Sequence, residues 1–281
     1  PLPEKPVCIT FDDGYLDNYV YAWPILEKYG LHGTVFATLE HLENSGPARL
    51  SLHDVWEGRA TMDDLPVAEN PMRMHHELGF EERADIFLNW DEVRRMEASG
   101  VMHTAAHSLR HDKVFISPNY DDFFRPQRRG RTFDRVRGRI LWGMPRFEIE
   151  AALASRAFIP SERLLDAVAE LVPQDKVAAH VFFEDAEKVA KLDGMLKRFT
   201  PEELGRLESE AEMFARFREE FVRCKEILEA ETQTQVRTFC WPWGKFSELA
   251  REAGKEAGFS IFVTTAAGAN RPGRPDAVTR I

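Results

Sequence analysis

"VCITFDDGYLDNY", residues 7–19, joins an apolar run, Val7 to Phe11, to two adjacent acids, Asp12 and Asp13, and then to Gly14. The run is rich in β-branched and aromatic residues and reads as a buried strand. Two like charges at its end raise each other's cost of ionisation unless something positive sits beside them. The residues after Gly14 decide the fold. "DNYVYAWPILEKYG", residues 17–30, reads as a helix with Asp17 as N-cap and Gly30 as stop, and "GTVFAT", 33–38, as a second short strand. Strand, helix and strand in that order make the βαβ unit of a parallel sheet.

Further along, residues 40–80 are irregular, with "SGPAR", "LPVAENP" and "MRMHHELG" as loop punctuation. The βα pattern returns in "NWDEVRRMEASG", 89–100, where Asn89 is an N-cap, Glu92 its capping-box partner and Gly100 the stop. "VMHTAAHS", 101–108, then alternates as a strand. From about 115 to 200 the pattern changes to turn-rich "ISPNYDDFFRPQRRGR" and helical "IPSERLLDAVAELV" with Ser161 as cap. Because the earlier pattern resumes afterwards, this segment reads as an insertion within a single domain spanning 1–281. Residues 199–231 read as one long helix with Thr200 as cap, Pro201 at its first position and Glu203 at N3. Its Leu204, Leu207, Phe214, Phe217, Phe221 and Leu228 form a core-facing stripe. A strand "VRTFCWPWG", a helix at 246–257, Gly258 and a strand "SIFVTT" complete the chain, without an internal repeat.

Composition narrows the classes. With 281 residues and a net charge of −10, the chain has the material for a substantial core and the wrong sign for a general nucleic-acid binder. No apolar run has spanning length and no signal peptide is visible, so no transmembrane segment is expected. Three cysteines, Cys8, Cys224 and Cys240, lack metal-ligand spacing and read as buried free thiols rather than a disulfide framework, which favours a cytoplasmic home, with the periphery of the inner membrane as second choice. The chain starts at Pro1 without a methionine and stops at Ile281 after strand-like "AVTRI", as a trimmed or excised domain would. Nothing in it sets an oligomeric state.

Parallel βα folds carry their functional groups at the carboxyl ends of strands. Three such ends here are unusual: "TFDDG" at 10–14, "HSLRH" at 107–111 and "CWPWG" at 240–244. His107 and His111 are four apart, and a helical turn beginning after His107 would aim both imidazoles at one point. His103 shares a strand face with His107 by alternation and, lying deeper along the strand, reads as a buried structural histidine. Two histidines and one carboxylate leave positions open on a divalent metal, as catalytic sites require. If Asp13 is that carboxylate its charge is compensated, and Asp12 is free to act as a base on water. The other reading of the pair is a turn whose aspartates cap the following helix.

These residues carry a family resemblance. "TFDDG", "HSLRH" as an HSxxH motif, and "FCWPWGKF" resemble the three main motifs of the polysaccharide deacetylases with NodB homology, the carbohydrate esterase family 4 type. The similarity covers residues 5–39, 85–112 and 232–281, including the approach "LNWDEVRRMEASGVMHTAAHSLRH" and the closing strands. It implies an α/β fold, a distorted (β/α) barrel, into which the largely helical insertion read above at about 115–200 would be set, and metal-dependent removal of an acyl group from an N-acylated sugar. By motif position Asp12 is the general base, while Asp13, His107 and His111 hold a divalent ion, zinc before others. Pro242 and Trp243 take the places of the third motif's proline and aromatic. The Trp243 backbone N–H would serve the oxyanion and its ring would wall the sugar groove, with Trp241 as a further groove residue; core packing is the other reading of both rings. The family's third-motif arginine, which orients the base, corresponds here to Cys240. No histidine occurs after His180, so the family's late general acid is not in this stretch.

"RPQRRGRTFDRVRGR", 125–139, concentrates arginine in an acidic chain. Arginines suit phosphates and carboxylates on a carrier-linked or acidic sugar, or pair with acids on neighbouring helices. The leading expectation is a deacetylase of an N-acylated saccharide, in bacterial surface polysaccharide or O-antigen and lipopolysaccharide assembly. An amidase acting on a non-carbohydrate amide and an inactive saccharide-binding relative are the alternatives.

Overall fold

Short strands alternating with helices recur through the computed structural model, which describes residues 6–42, 46–67, 84–126, 135–270 and 273–280. The described residues fall into two compact units, one of 6–67, 84–111 and 216–280 and one of 112–215. Among them, no helix is long and apolar enough to cross a membrane.

The first unit opens with β1 (Ile9–Asp13) and a helical segment whose wide first turn, Asn18–Ala22, runs into α1 (Trp23–Lys28). Asp17 is not the expected cap: it is itself helical and its side chain makes no cap hydrogen bond, while Asn18 Nδ2 donates to the Tyr15 carbonyl at 2.7 Å. β2 (Gly33–Ala37) lies parallel to β1, with Asp13 opposite Ala37. After α2 (Leu52–Trp56), α3 (Trp90–Ser99) begins with the Asn89–Glu92 capping box and ends at Gly100, whose φ of 68° suits glycine. β3 (Met102–Ala106) then pairs parallel with β2.

In the second unit the stretch read as turn-rich is a long strand, β4 (Lys113–Phe123), antiparallel to β5 (Pro145–Ala151). The turn residues Pro118 and Asn119 fall at an irregularity of this ladder between Phe115 and Tyr120, where a missing N–H is tolerated. β6 (Phe158–Pro160) leads into α4 (Glu162–Leu171), capped by Ser161 as expected, followed by α5 (Lys176–Glu184) and α6 (Ala186–Leu196). Leu164, Val168, Leu192 and Leu196 pack with Phe115, Phe147 and Phe158 into this unit's core. Of the arginine-rich segment, 127–134 lie outside the described residues; Arg125 pairs with Asp122, and Arg139 approaches Glu162 at 3.8 Å.

The single long helix expected over 199–231 is two. Thr200, Pro201 and Glu203 do cap α7 (Pro201–Leu204), but the chain then becomes β7 (Gly205–Leu207), paired with β6. A Cβ on Gly205 would lie 2.3 Å from the Ile159 carbonyl oxygen, so this close approach needs glycine. Leu207 is exposed rather than part of the stripe. α8 (Glu210–Thr232) starts afresh at a Ser209–Glu212 reciprocal cap.

From Arg216 onward α8 belongs to the first unit, where Phe217, Phe221 and Leu228 are fully buried. β8 (Thr238–Cys240), α9 (Glu248–Glu256), β9 (Ile261–Ala267) and β10 (Val278–Arg280) complete a six-stranded sheet of order β1-β2-β3-β8-β9-β10. Every neighbouring pair in it is parallel. Laid flat, six strands would hold their edges roughly 24 Å apart. Yet Arg280 on edge strand β10 hydrogen-bonds Asp12 on edge strand β1 at 2.7 and 2.8 Å, so the sheet curls upon itself as the expected distorted (β/α) barrel. All carboxyl ends therefore share one rim.

Candidate active site

At the end of β1, Asp13 and Gly14 turn left-handed, with φ of 71° and 81°, and the Gly14 N–H donates to the Asp12 carbonyl at 2.9 Å. Beyond β3 no helical turn forms. Ser108 and His111 are also left-handed, with φ of 79° and 56°, and the His111 N–H donates to Ser108 Oγ at 2.8 Å. This folds the loop tightly enough to bring the two imidazoles to 4.9 Å between ring centres, the convergence expected, by a different backbone route. Neighbouring segments over-determine the loop: Leu39 and Glu40 N–H donate to the Ser108 and Leu109 carbonyls, and Leu109 N–H donates to Glu220 Oε1 of α8 at 2.7 Å. Of the five non-glycine residues with positive φ among the described residues, four (Asp13, Ser108, His111 and Trp243) stand here. Such conformations cost about 1–3 kcal/mol each and persist where surrounding contacts enforce them.

Asp13 Oδ1 lies 3.6 Å from His107 Nε2 and 3.8 Å from His111 Nε2, and the three donor atoms all lie within 4.8 Å of one another. Ligand atoms sharing one tetrahedral ion at about 2.1 Å sit roughly 3.4 Å apart, so little movement separates this arrangement from a coordinating one. His107 Nδ1 meets the Cys240 carbonyl at 2.8 Å and must donate to it, which leaves the Nε2 lone pair toward Asp13. Burial pushes the Asp13 carboxyl up to about 7, with the Asp12 charge adding and Arg280 opposing. Burial likewise holds His107 below its usual range, so it stays neutral. A largely buried carboxylate beside the neutral His107 imidazole, with the second imidazole of His111 adjacent, is a donor set that fits a divalent cation.

Asp12 is gripped from across the rim. Arg280 Nη1 and Nη2 donate to its two carboxylate oxygens, and Nη2 also donates to Cys240 Sγ at 2.9 Å. Burial drives the Cys240 thiol up, so it stays protonated; it lies 3.9 Å from Asp12 Oδ1. Arg280 escaped the sequence reading because "AVTRI" looks like any short strand. The signal available was the missing arginine at 240 together with a charge in the closing strand.

Around the third motif, Trp243 (φ 53°) and Gly244 (φ 67°) are left-handed, and the partly buried Trp243 ring packs edge-on to His111 with 4.0 Å between ring centres. A Cβ on Gly244 would lie 2.0 Å from Thr265 Oγ1, which fixes glycine there. Trp241, expected to face the groove, is wholly buried, stacked between Phe246 and Phe262, and so belongs to the core. Pro242 is buried too and shapes the turn from within. His103 is corrected in the opposite sense: its side chain is 60% exposed and pairs with Glu97.

Known proteins share this arrangement of chain. The family model described as "Polysaccharide deacetylase" matches residues 1–136. Over 281 residues the chain is 22% identical to the poly-beta-1,6-N-acetyl-D-glucosamine N-deacetylase of Escherichia coli strain K12, covering 100% of this chain and 28% of that protein. The chain spans about a quarter of the length of the curated relatives it matches. The deacetylase domain of BpsB from Bordetella bronchiseptica superposes with a TM-score of 0.58 at 20% identity, covering 100% of this chain and 72% of that one. A de-N-acetylase from Aggregatibacter actinomycetemcomitans gives 0.57 at 19%, covering 100% and 71%.

Proposed function

We propose that this chain, whose residues 1–136 match the polysaccharide deacetylase family model, is a metal-dependent hydrolase removing N-acetyl groups from the amino sugars of a polysaccharide. The observation that carries the proposal is the convergence of Asp13, His107 and His111 within 4.8 Å, directly beside Asp12. The name of the Escherichia coli relative supports a β-1,6-linked N-acetylglucosamine polymer as the substrate. A bacterial surface polysaccharide is the corresponding biological setting.

Asp13, His107 and His111 would hold the divalent cation, with zinc favoured by the nitrogen-rich donor set. When bound, such a cation supplies Lewis acidity, polarising an amide carbonyl and making water a better acid. The chain's own groups do the rest. Asp12 takes a proton from the attacking water as its oxygen bonds to the acyl carbon, and returns that proton to the amine as the C–N bond breaks. Acetate and a free amino sugar are the products. The Trp243 backbone N–H donates to the oxyanion, and the Trp243 ring borders the sugar. In this reading one carboxylate serves as both base and acid.

The test is acetate release from β-1,6-linked N-acetylglucosamine oligomers. Release is expected to stop on chelation and return with divalent ions. Turnover of a small non-carbohydrate amide, with no acetate from any N-acetylated saccharide under any metal supplement, would instead make the chain an amidase.

A further inference from the structure

We propose that Arg280 is the positioning residue of Asp12, holding the carboxylate from the opposite edge of the sheet and taking over a task that residue 240, a cysteine, leaves undone. The proposal rests on the reading of Asp12 as the proton-transferring group.

The contact has the geometry of a bidentate fork, with Nη1 to Oδ2 at 2.7 Å and Nη2 to Oδ1 at 2.8 Å, which fixes the plane of the carboxylate as well as its place. A carboxylate offers about four acceptor sites and the fork occupies two, so Asp12 keeps capacity for a proton. The guanidinium is itself held, by the Nη2 contact to Cys240 Sγ at 2.9 Å and by the Phe36 ring, whose centre lies 5.2 Å from Cζ. Cys240 Sγ stands 3.9 Å from Asp12 Oδ1, so positions 240 and 280 serve the same spot, and the small thiol leaves room for the longer side chain arriving from β10. Without Arg280, Asp12 and Asp13 would face one another with no fixed positive charge between them. Because β1 and β10 are the two edge strands, the same contact closes the curled sheet.

The experiment uses the whole chain, loaded with metal. Arg280→Ala is expected to lower kcat by roughly 10²-fold, within the range that placed proton transfer contributes. KM and bound metal should stay close to wild type. Guanidinium ion at tens of millimolar should restore much of the loss in Arg280→Ala, while methylammonium, which lacks the fork, should not. Should Arg280→Ala fail to fold, Arg280→Lys keeps the charge without the fork and is expected to lose at least tenfold in kcat. Wild-type kcat in either variant, a loss confined to KM or metal content, or no restoration by guanidinium overturns the proposal. If wild type releases no acetate, the functional reading fails separately. The contact is then judged on metal-free protein by the melting temperatures of Asp12→Asn, Arg280→Lys and the double variant. A double variant no less stable than the weaker single variant supports the contact, and additive losses overturn it.

Discussion

The loops after β1 and β3 and the ends of β8 and β10 meet at one rim, yet they hold their charged groups by different means. Asp13 and His111 are placed by backbone, through left-handed residues locked by neighbouring N–H groups. Asp12 is placed by a side chain, the Arg280 fork, reaching over from the far edge of the sheet. Many small contacts share the first task, so no single neighbouring side chain controls it. One guanidinium carries the second. Metal retention and proton transfer should therefore fail separately, although Asp12 and Asp13 are adjacent in sequence.

The largest effect is expected at a ligand. His107→Ala should bring bound zinc, measured by elemental analysis, to background and turnover with it; a variant that keeps stoichiometric metal would remove His107 from the donor set. Next is the base. Asp12→Asn is expected to retain metal and lose roughly 10²- to 10⁴-fold in kcat. Loss of metal in that variant would collapse the distinction between the two sides of the rim.

A third expectation concerns charge rather than contact. The Asp13 carboxyl moves from its ordinary 3.8 to about 7 in the folded, metal-free protein, chiefly through burial. Below 3.8 both folded and unfolded chains hold the proton, so the shift costs nothing. Between 3.8 and 7 only the folded chain holds it, so stability falls as pH rises, and above 7 the whole penalty applies. At about 1.4 kcal/mol per pKa unit the penalty is bounded near 4 kcal/mol. Metal-free Asp13→Asn should thus melt above wild type at pH 8 and lose that advantage toward pH 4, as followed by calorimetry. Added zinc should reverse the ranking, because only the wild type binds it tightly. A stability difference independent of pH would show that Asp13 does not bear this burden.

Much of the site was legible because its chemistry is local. Asp12, Asp13, His107 and His111 stand at strand ends that β-branched runs and helix caps announce, and their residue types admit few purposes. Arg280 was not legible: its partner lies 268 positions away, and only the curl of the sheet joins them. The tryptophans show a subtler limit. Trp241 and Trp243 are two apart, and strand alternation would give them one face. The left-handed turn at Trp243 breaks that period, so one ring enters the core and the other reaches His111. The helix break at Gly205 was hidden for a similar reason, since a strand partner forty-odd residues earlier, β6, competes with good helix propensity there.

The smallest expected effect tests the backbone-held side of the rim. Glu220 reaches from α8 to accept the Leu109 N–H at 2.7 Å, between the two histidines. Glu220→Gln keeps an acceptor oxygen at the same reach, so metal affinity and turnover should change little. Glu220→Ala leaves a buried N–H unsatisfied, a cost of about 1–3 kcal/mol in stability. Zinc affinity should then weaken by roughly 10-fold, the low end for groups that orient ligands. Titration with a competing zinc chelator measures the difference between the two variants. If alanine proves as harmless as glutamine, the other hydrogen bonds of the loop suffice to hold His107 and His111. If glutamine alone were as damaging as alanine, the charge of Glu220 would matter more than its hydrogen bond, and this side of the rim would depend on a single side chain as heavily as Asp12 depends on Arg280.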